Sequence, residues 1–259
     1  MAIHAYDEVQ RLIDLLLIDY GKTLDIGSID CNIILAEDME IAYKAAMGNK
    51  IETNPCPQNI QQYHGLTLPP ATNTGTFTIL LNCDYVDMTM NNLNWISTFI
   101  HEVTHVCDFS TYYSIISAKS FDEMFDKALH PIFNDWTEFH AMAVGHYFLR
   151  KYVLEDFKGY HHINNILYGD LQKFSSEMAN EFCLTSDENR LKYVVVRFLG
   201  RLAVWQYLYP TVFNSSFIDQ IFGGNKWMKE LFILLTSYDS LEGIYPHFGE
   251  IQKIWDTQF

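Results

Sequence analysis

Basic residues are scarce in this chain: 17 Lys and Arg stand against 32 Asp and Glu over 259 residues, a formal charge of −15. No Lys/Arg-rich run reverses that balance locally, so a phosphate backbone would be repelled and no nucleic-acid partner is expected. Cysteine is sparse as well. The five (Cys31, Cys56, Cys83, Cys107, Cys183) are odd in number, scattered, and form no C-x-x-C pair, which excludes a zinc ribbon or a dithiol redox motif. Reduced thiols in a cytoplasmic protein are the expectation. The N-terminal stretch MAIHAYDEVQRLIDLLLIDYGKT carries acids where a signal peptide has its basic region, and reads as a mature amphipathic helix. An uninterrupted apolar run is missing too: the longest, YVVVRFLGRLAVWQYLYP, is broken by Arg197, Gly200 and Arg201, so no membrane span is expected. There is no internal repeat and no low-complexity tract. What is present is core material, 49% hydrophobic and 15% aromatic, which excludes a disordered chain and a disulfide-stapled miniprotein.

The order of hydrophobic patterns predicts an α+β chain, residues 1–259 as one unit with a mixed N-terminal lobe (1–88) and a mostly helical C-terminal lobe (89–259). Val9, Leu12, Ile13, Leu16, Leu17 and Tyr20 fall on one helical stripe that Gly21 would stop. A strand at Cys31 to Leu35 and an acidic helical piece from Glu37 to Ala46 follow, then a loop over 53 to 75 with a short strand at Leu66 to Leu68. TFTILLN (76 to 82) reads as a half-exposed strand, with Phe77, Ile79 and Leu81 facing inwards. Helical periodicity covers about 91 to 115, 131 to 154, 175 to 209 and 226 to 236, with Pro131 placed for a first turn.

Chemistry concentrates in NWISTFIHEVTHVCDFS. Residues four apart on a helix differ by only about 40° around its axis, so His101 and His105 can reach one metal ion. Ile96, Phe99, Ile100, Val103 and Cys107 cluster on the opposite side, separating a core face from a metal face. Glu102 follows the first histidine, beside the ligand stripe, where a carboxylate can act as general base without entering the coordination sphere.

Tetrahedral zinc needs a third protein ligand and an open fourth position. The metzincin arrangement places that ligand six residues after the second histidine, beyond a glycine; here those places hold Thr111 and Asp108. A later helix must supply it. PIFNDWTEFHAMAVGHYFL (131 to 149) is apolar nearly all round, and Glu138 lies in its middle, where a carboxylate requires a cation to offset desolvation. Ala141 and Gly145, on the same face, permit close helix approach. Glu138 is therefore the candidate third ligand, with a carboxylate paired to an arginine or lysine as the alternative and His140 and His146 as reserve ligands.

HEVTH followed by a glutamate on a second helix resembles the thermolysin-type gluzincins, whose zinc is held by two histidines and a glutamate. The strand ILLN (Ile79 to Asn82) ahead of the motif helix, and Glu138-Phe139-His140-Ala141 as E-x-x-A, also resemble the ImmA/IrrE-type bacterial peptidases. The likeness covers residues 76 to 145 and departs at the spacer, 32 residues between His105 and Glu138, longer than in compact gluzincins. It implies a zincin-like fold, bound Zn2+ and a peptide or protein substrate.

Asp108, seven residues after His101, could orient a ligand imidazole or simply be a solvated helical aspartate. Donors for a developing oxyanion are sought among Tyr112, Tyr160, His161 and His162. The leading expectation is a zinc-dependent peptide hydrolase in which the strand at 76 to 82 binds substrate by strand addition. A metal-binding regulatory or interaction protein without turnover is the first alternative. A di-iron bundle is the second, since Glu102-x-x-His105 is also a Glu-x-x-His motif, although such a site wants two copies.

Overall fold

The apolar stripe at the N-terminus forms helix α1 (Ile3–Thr23) in the computed structural model, which describes residues 3–52, 54–70, 75–155, 163–210, 213 and 215–259. Val9, Ile13, Leu16 and Tyr20 are buried along it. Gly21 does not end this helix. It lies in the last turn, and the chain leaves where the amides of Leu24 and Ile26 close on the carbonyls of Tyr20 and Gly21 around Asp25, at a left-handed φ of 52°.

Strand β1 (Cys31–Ala36) leads into α2 (Met39–Met47), whose first turn is capped by Asp38 accepting from the Glu40 and Ile41 amides, both at 2.9 Å. Strands β2 (Gly65–Leu68) and β3 (Phe77–Asn82) complete a sheet of order β1-β3-β2. β1 runs parallel to β3, Cys31 opposite Phe77 through Ala36 opposite Asn82, and β2 runs antiparallel to it, Gly65 opposite Leu81.

β3 is therefore central, not half-exposed. Phe77, Ile79 and Leu81 enter the main core as the alternation predicts, but on the other face Leu80 is fully buried with Ala36 and Leu68 beneath Met39, Tyr43 and Met47 of α2. With both its edges paired, β3 has no room for an added strand. The outer edges belong to β1 and β2, and β2 is the strand that lies over α4.

Helices make up the remainder: α3 (Cys83–Thr89), α4 (Asn94–Ile115), α5 (Phe121–Phe125), α6 (His130–Glu155), α7 (Ile163–Leu184), α8 (Glu188–Leu208), α9 (Ser215–Phe222), α10 (Lys226–Thr236), α11 (Leu241–Ile244) and α12 (Phe248–Gln258). The α+β class holds. The single helix expected over 175 to 209 is two, divided where the Asp187 carboxylate accepts from the Asn189 and Arg190 amides to start α8. Pro131 does sit in the first turn of α6.

Three of these helices, α4, α6 and α8, pack side by side, with β2 over α4. Glycines set the separation. A Cβ at Gly145 of α6 would lie 2.5 Å from the Ser97 carbonyl oxygen of α4, and one at Gly200 of α8 would lie 2.5 Å from the Phe139 carbonyl oxygen of α6. Only hydrogen at these positions allows such close approach. Trp95, Trp136, Trp205 and Trp255 are fully buried around this stack, and α4 itself is covered on nearly all sides, its histidine face included. Full burial of one large apolar side chain contributes about 1.5–3 kcal/mol. Among the described residues no helix is long and apolar enough to cross a membrane.

Candidate metal centre

The i, i+4 spacing on α4 places the His101 and His105 rings 4.5 Å apart at 89° to each other, with their Nε2 atoms separated by 3.0 Å. Both residues are buried. α6, drawn in at Gly145, brings Glu138 over them: Oε2 is 3.6 Å from His101 Nε2 and Oε1 is 3.5 Å from His105 Nε2. One ligand atom from each of the three residues falls within 4.8 Å of the others, and this is the His/carboxylate group of metal-binding spacing found among the described residues. A di-iron site would need two such sets.

The protonation pattern around the centre tests whether these groups suit a cation. His105 Nδ1 lies 2.9 Å from the Thr137 hydroxyl, which donates at 2.7 Å to Asp108 Oδ2. Because the hydroxyl proton is committed to Asp108, Nδ1–H of His105 must be the donor to Thr137, and the lone pair is left on Nε2. That is the tautomer a metal ligand requires. Asp108 thus orients the imidazole as anticipated, but through Thr137, a residue whose role no sequence pattern signals.

Two further atoms support the fit. Glu138 Oε2 is buried with no hydrogen-bond partner, and so is His101 Nδ1, which has the Ala141 backbone on that side but no bond of good geometry to it. A cation accepting both Nε2 lone pairs and a Glu138 oxygen would relieve the first and leave His101 Nδ1–H free to face Ala141. Burial, then the neighbouring His105, pushes the His101 pKa well below the usual imidazole value, so this ring is neutral. Burial acts to raise the Glu138 pKa, yet the two imidazoles and Arg197 outweigh it and hold the carboxylate ionised, at about 2.

Glu102 is buried one position along α4, under β2. Thr67 Oγ1 of β2 lies 2.8 Å from Glu102 Oε2 and 2.9 Å from the Glu102 carbonyl oxygen. One hydroxyl proton cannot fully serve both acceptors. Both contacts become good hydrogen bonds when Glu102 carries a proton, donating to Thr67 while Thr67 donates to the backbone. Burial correspondingly raises the Glu102 pKa, against the opposing pull of His105 and Thr67. A Cβ at Gly65 would stand 2.8 Å from Glu102 Cγ, so glycine is what lets the β2 backbone lie directly on this side chain.

α8 supplies the groups on the remaining side. Gly200 brings this helix against α6, and one turn earlier Arg197 Nη1 lies 3.9 Å from Glu138 Oε2. Arg197 also donates to the Tyr193 hydroxyl, and its guanidinium stands 4.9 Å from the centre of that ring. The alternative expectation for Glu138, pairing with an arginine, is thus present in part beside the histidines.

Other expected residues fall elsewhere. Tyr112 is seven residues beyond His105, which is about 10 Å further along the helix axis. It is fully buried, stacked on Phe133 at 4.0 Å, with burial raising its pKa to about 12; it is a core residue and not an oxyanion donor. His140 turns to Asp108, its Nδ1 3.0 Å from Oδ1, and stacks on Trp136, so it is not a ligand. His146 lies against Phe174 of α7 and is likewise outside the ligand group. Tyr160, His161 and His162 lie outside the described residues. Thr67, Gly65, Thr137, Tyr193 and Arg197 are the site residues that sequence reasoning missed, since each acquires its place only when a second element packs on α4 or α6. No protein family matches this chain, and no curated protein or solved structure is significantly similar to it, so the reading of the centre rests on its geometry.

Proposed function

We propose that the chain is a zinc-dependent peptide hydrolase of the gluzincin type, on a zincin-like fold. The observation that carries this reading is the convergence of His101 Nε2, His105 Nε2 and a Glu138 oxygen beside a buried, separate carboxylate, Glu102. Two imidazoles that present Nε2 and one carboxylate form a catalytic zinc donor set. A site built only to hold metal has no need of Glu102. When bound, zinc supplies Lewis acidity towards water and towards a carbonyl oxygen.

The chain's own residues provide the remainder. Thr137 and Asp108 fix the His105 tautomer. Glu102, its basicity raised by burial, takes a proton from the attacking water as the water oxygen adds to the carbonyl carbon. It then delivers that proton to the leaving amine as the carbon–nitrogen bond breaks. An extended peptide would add along the free edge of β2, whose Gly65 and Thr67 already lie on Glu102, in place of the β3 addition that the strand pattern first suggested.

Metal analysis of protein purified without added metal should find one zinc per chain, and a peptide-library screen should find cleavage. Glu102→Gln should keep the zinc while hydrolysis falls by roughly a hundredfold or more. Full activity in that variant would overturn the mechanism.

A further inference from the structure

α8 carries a cation whose hydrogen-bonding capacity is not spent among the described residues. In a chain with 32 acidic and 17 basic side chains, the other arginines of this region are matched to carboxylates away from the site. Arg150 pairs with Asp170, Arg190 with Glu181 at 2.9 Å, and Arg201 with Glu177 at 2.8 Å. Arg197 differs. Its ion-pair partner among the described residues is Glu138 at 3.9 Å, beyond hydrogen-bonding reach, and Glu138 Oε2 accepts no hydrogen bond from it. A guanidinium has five N–H donors, and the bond to the Tyr193 hydroxyl uses one. Its side chain is 32% exposed, so it is accessible beside the ligand group.

The position is central. Arg197 acts electrostatically on Glu102, Glu138 and His101, and on His64, which precedes β2 and is held by stacking on Tyr85 at 3.8 Å. It therefore lies beside the ligand group on α8, within electrostatic reach of Glu102. Tyr193, one turn earlier, holds the guanidinium from beneath through both its ring and its hydroxyl.

We propose that Arg197 binds the carbonyl oxygen of the scissile bond and stabilises the negative charge that develops on it, with Tyr193 as its positioning residue. This rests on the hydrolase reading above. A fixed cation beside the reacting carbon is worth most where charge develops, so its loss should fall on kcat and on affinity for a tetrahedral anion, and much less on KM. A guanidinium that merely neutralised Glu138 would behave differently, because removing it would alter metal binding and leave anion affinity alone.

The test uses the full chain loaded with zinc and a peptide phosphonate, whose tetrahedral anion resembles the hydrated carbonyl. Arg197→Met should bind zinc at least as tightly as the parent, judged by chelator competition, and lose on the order of a hundredfold in phosphonate affinity by calorimetry. Arg197→Lys should restore part of it. Tyr193→Phe should weaken phosphonate binding in the parent but have no further effect in the Arg197→Met background, since a positioning residue acts through the group it holds. Unchanged phosphonate affinity in a zinc-loaded Arg197→Met chain would overturn this proposal alone, as would weakened zinc binding with phosphonate affinity intact. A parent chain that bound neither zinc nor phosphonate would overturn the hydrolase reading with it.

Discussion

His105 owes its suitability as a ligand to a proton it does not share with metal. The relay from Asp108 through Thr137 leaves Nε2 as the lone-pair nitrogen, and each link is short, 2.7 Å and 2.9 Å. Thr137→Val keeps the shape and removes the hydroxyl, so Nδ1–H loses its acceptor and the tautomer is no longer fixed. Zinc affinity should fall by about 10- to 100-fold in a chelator competition, with little change in fold. An unaltered affinity would show that the ring is oriented by packing alone. At this scale legibility follows locality. His101, Glu102 and His105 could be read because one helix turn sets their relation, and Glu138 because a carboxylate in an apolar helix calls for a cation. Thr137 could not, because a threonine one residue before Glu138 has no meaning until α4 delivers Asp108 beside it. Tyr112 was misplaced for a related reason: helical phase gives the side of the axis, whereas reach along the axis decides whether a phenol meets the metal.

Among the elements, the centre depends on how far apart α4 and α6 stand. Gly145→Ala puts a Cβ 2.5 Å from the Ser97 carbonyl oxygen and 3.4 Å from His101 Cβ, so α6 must move away and Glu138 with it. Gly200→Ala meets the Phe139 carbonyl oxygen at the same distance, but from α8, on the side of α6 away from α4. Both should lower stability by about 1–3 kcal/mol in urea unfolding. Zinc affinity should drop in the first and change much less in the second. Equal loss in both would mean that the three helices move as one body. The small residues on α6 were readable as a close-approach face, and the N-terminal helix, three strands and the motif helix follow from their periodicities. The boundary at Thr185 to Asp187 did leave a signal, six polar residues from Thr185 to Arg190 with Asp187 as a capping residue, whereas the short α3, α5, α9 and α11 contain too few turns to show a period. Strand order is not a local property at all. The alternation in β3 told which face meets the main core, but not that α2 and two neighbouring strands would close the other sides.

For the molecule as a whole, an excess of acid must be reconciled with a dense interior, and Asp135 is where the two meet. It lies on α6 beneath α8 and α12, where burial raises its pKa from 3.8 to about 7, with Lys192 and the Trp255 indole only partly opposing and Glu138 adding a like charge. The sign follows from proton binding. Between pH 4 and 7 the unfolded chain has released this proton while the folded chain retains it, so stability falls as pH rises through that window and levels off above the folded pKa. The full shift corresponds to roughly 4 kcal/mol at the limit, and partial solvent access reduces it to a few kcal/mol at most. Asp135→Asn removes the titration while keeping the side chain's shape. Urea unfolding of both forms from pH 5 to pH 8 should therefore show the variant gaining on the parent as pH rises, with the difference flattening above about 7. Carboxylates that are ordinary on the surface cancel in that comparison. A difference that stayed constant across the range would mean that Asp135 is already ionised at pH 5, and that the contact between α6 and α12 admits water.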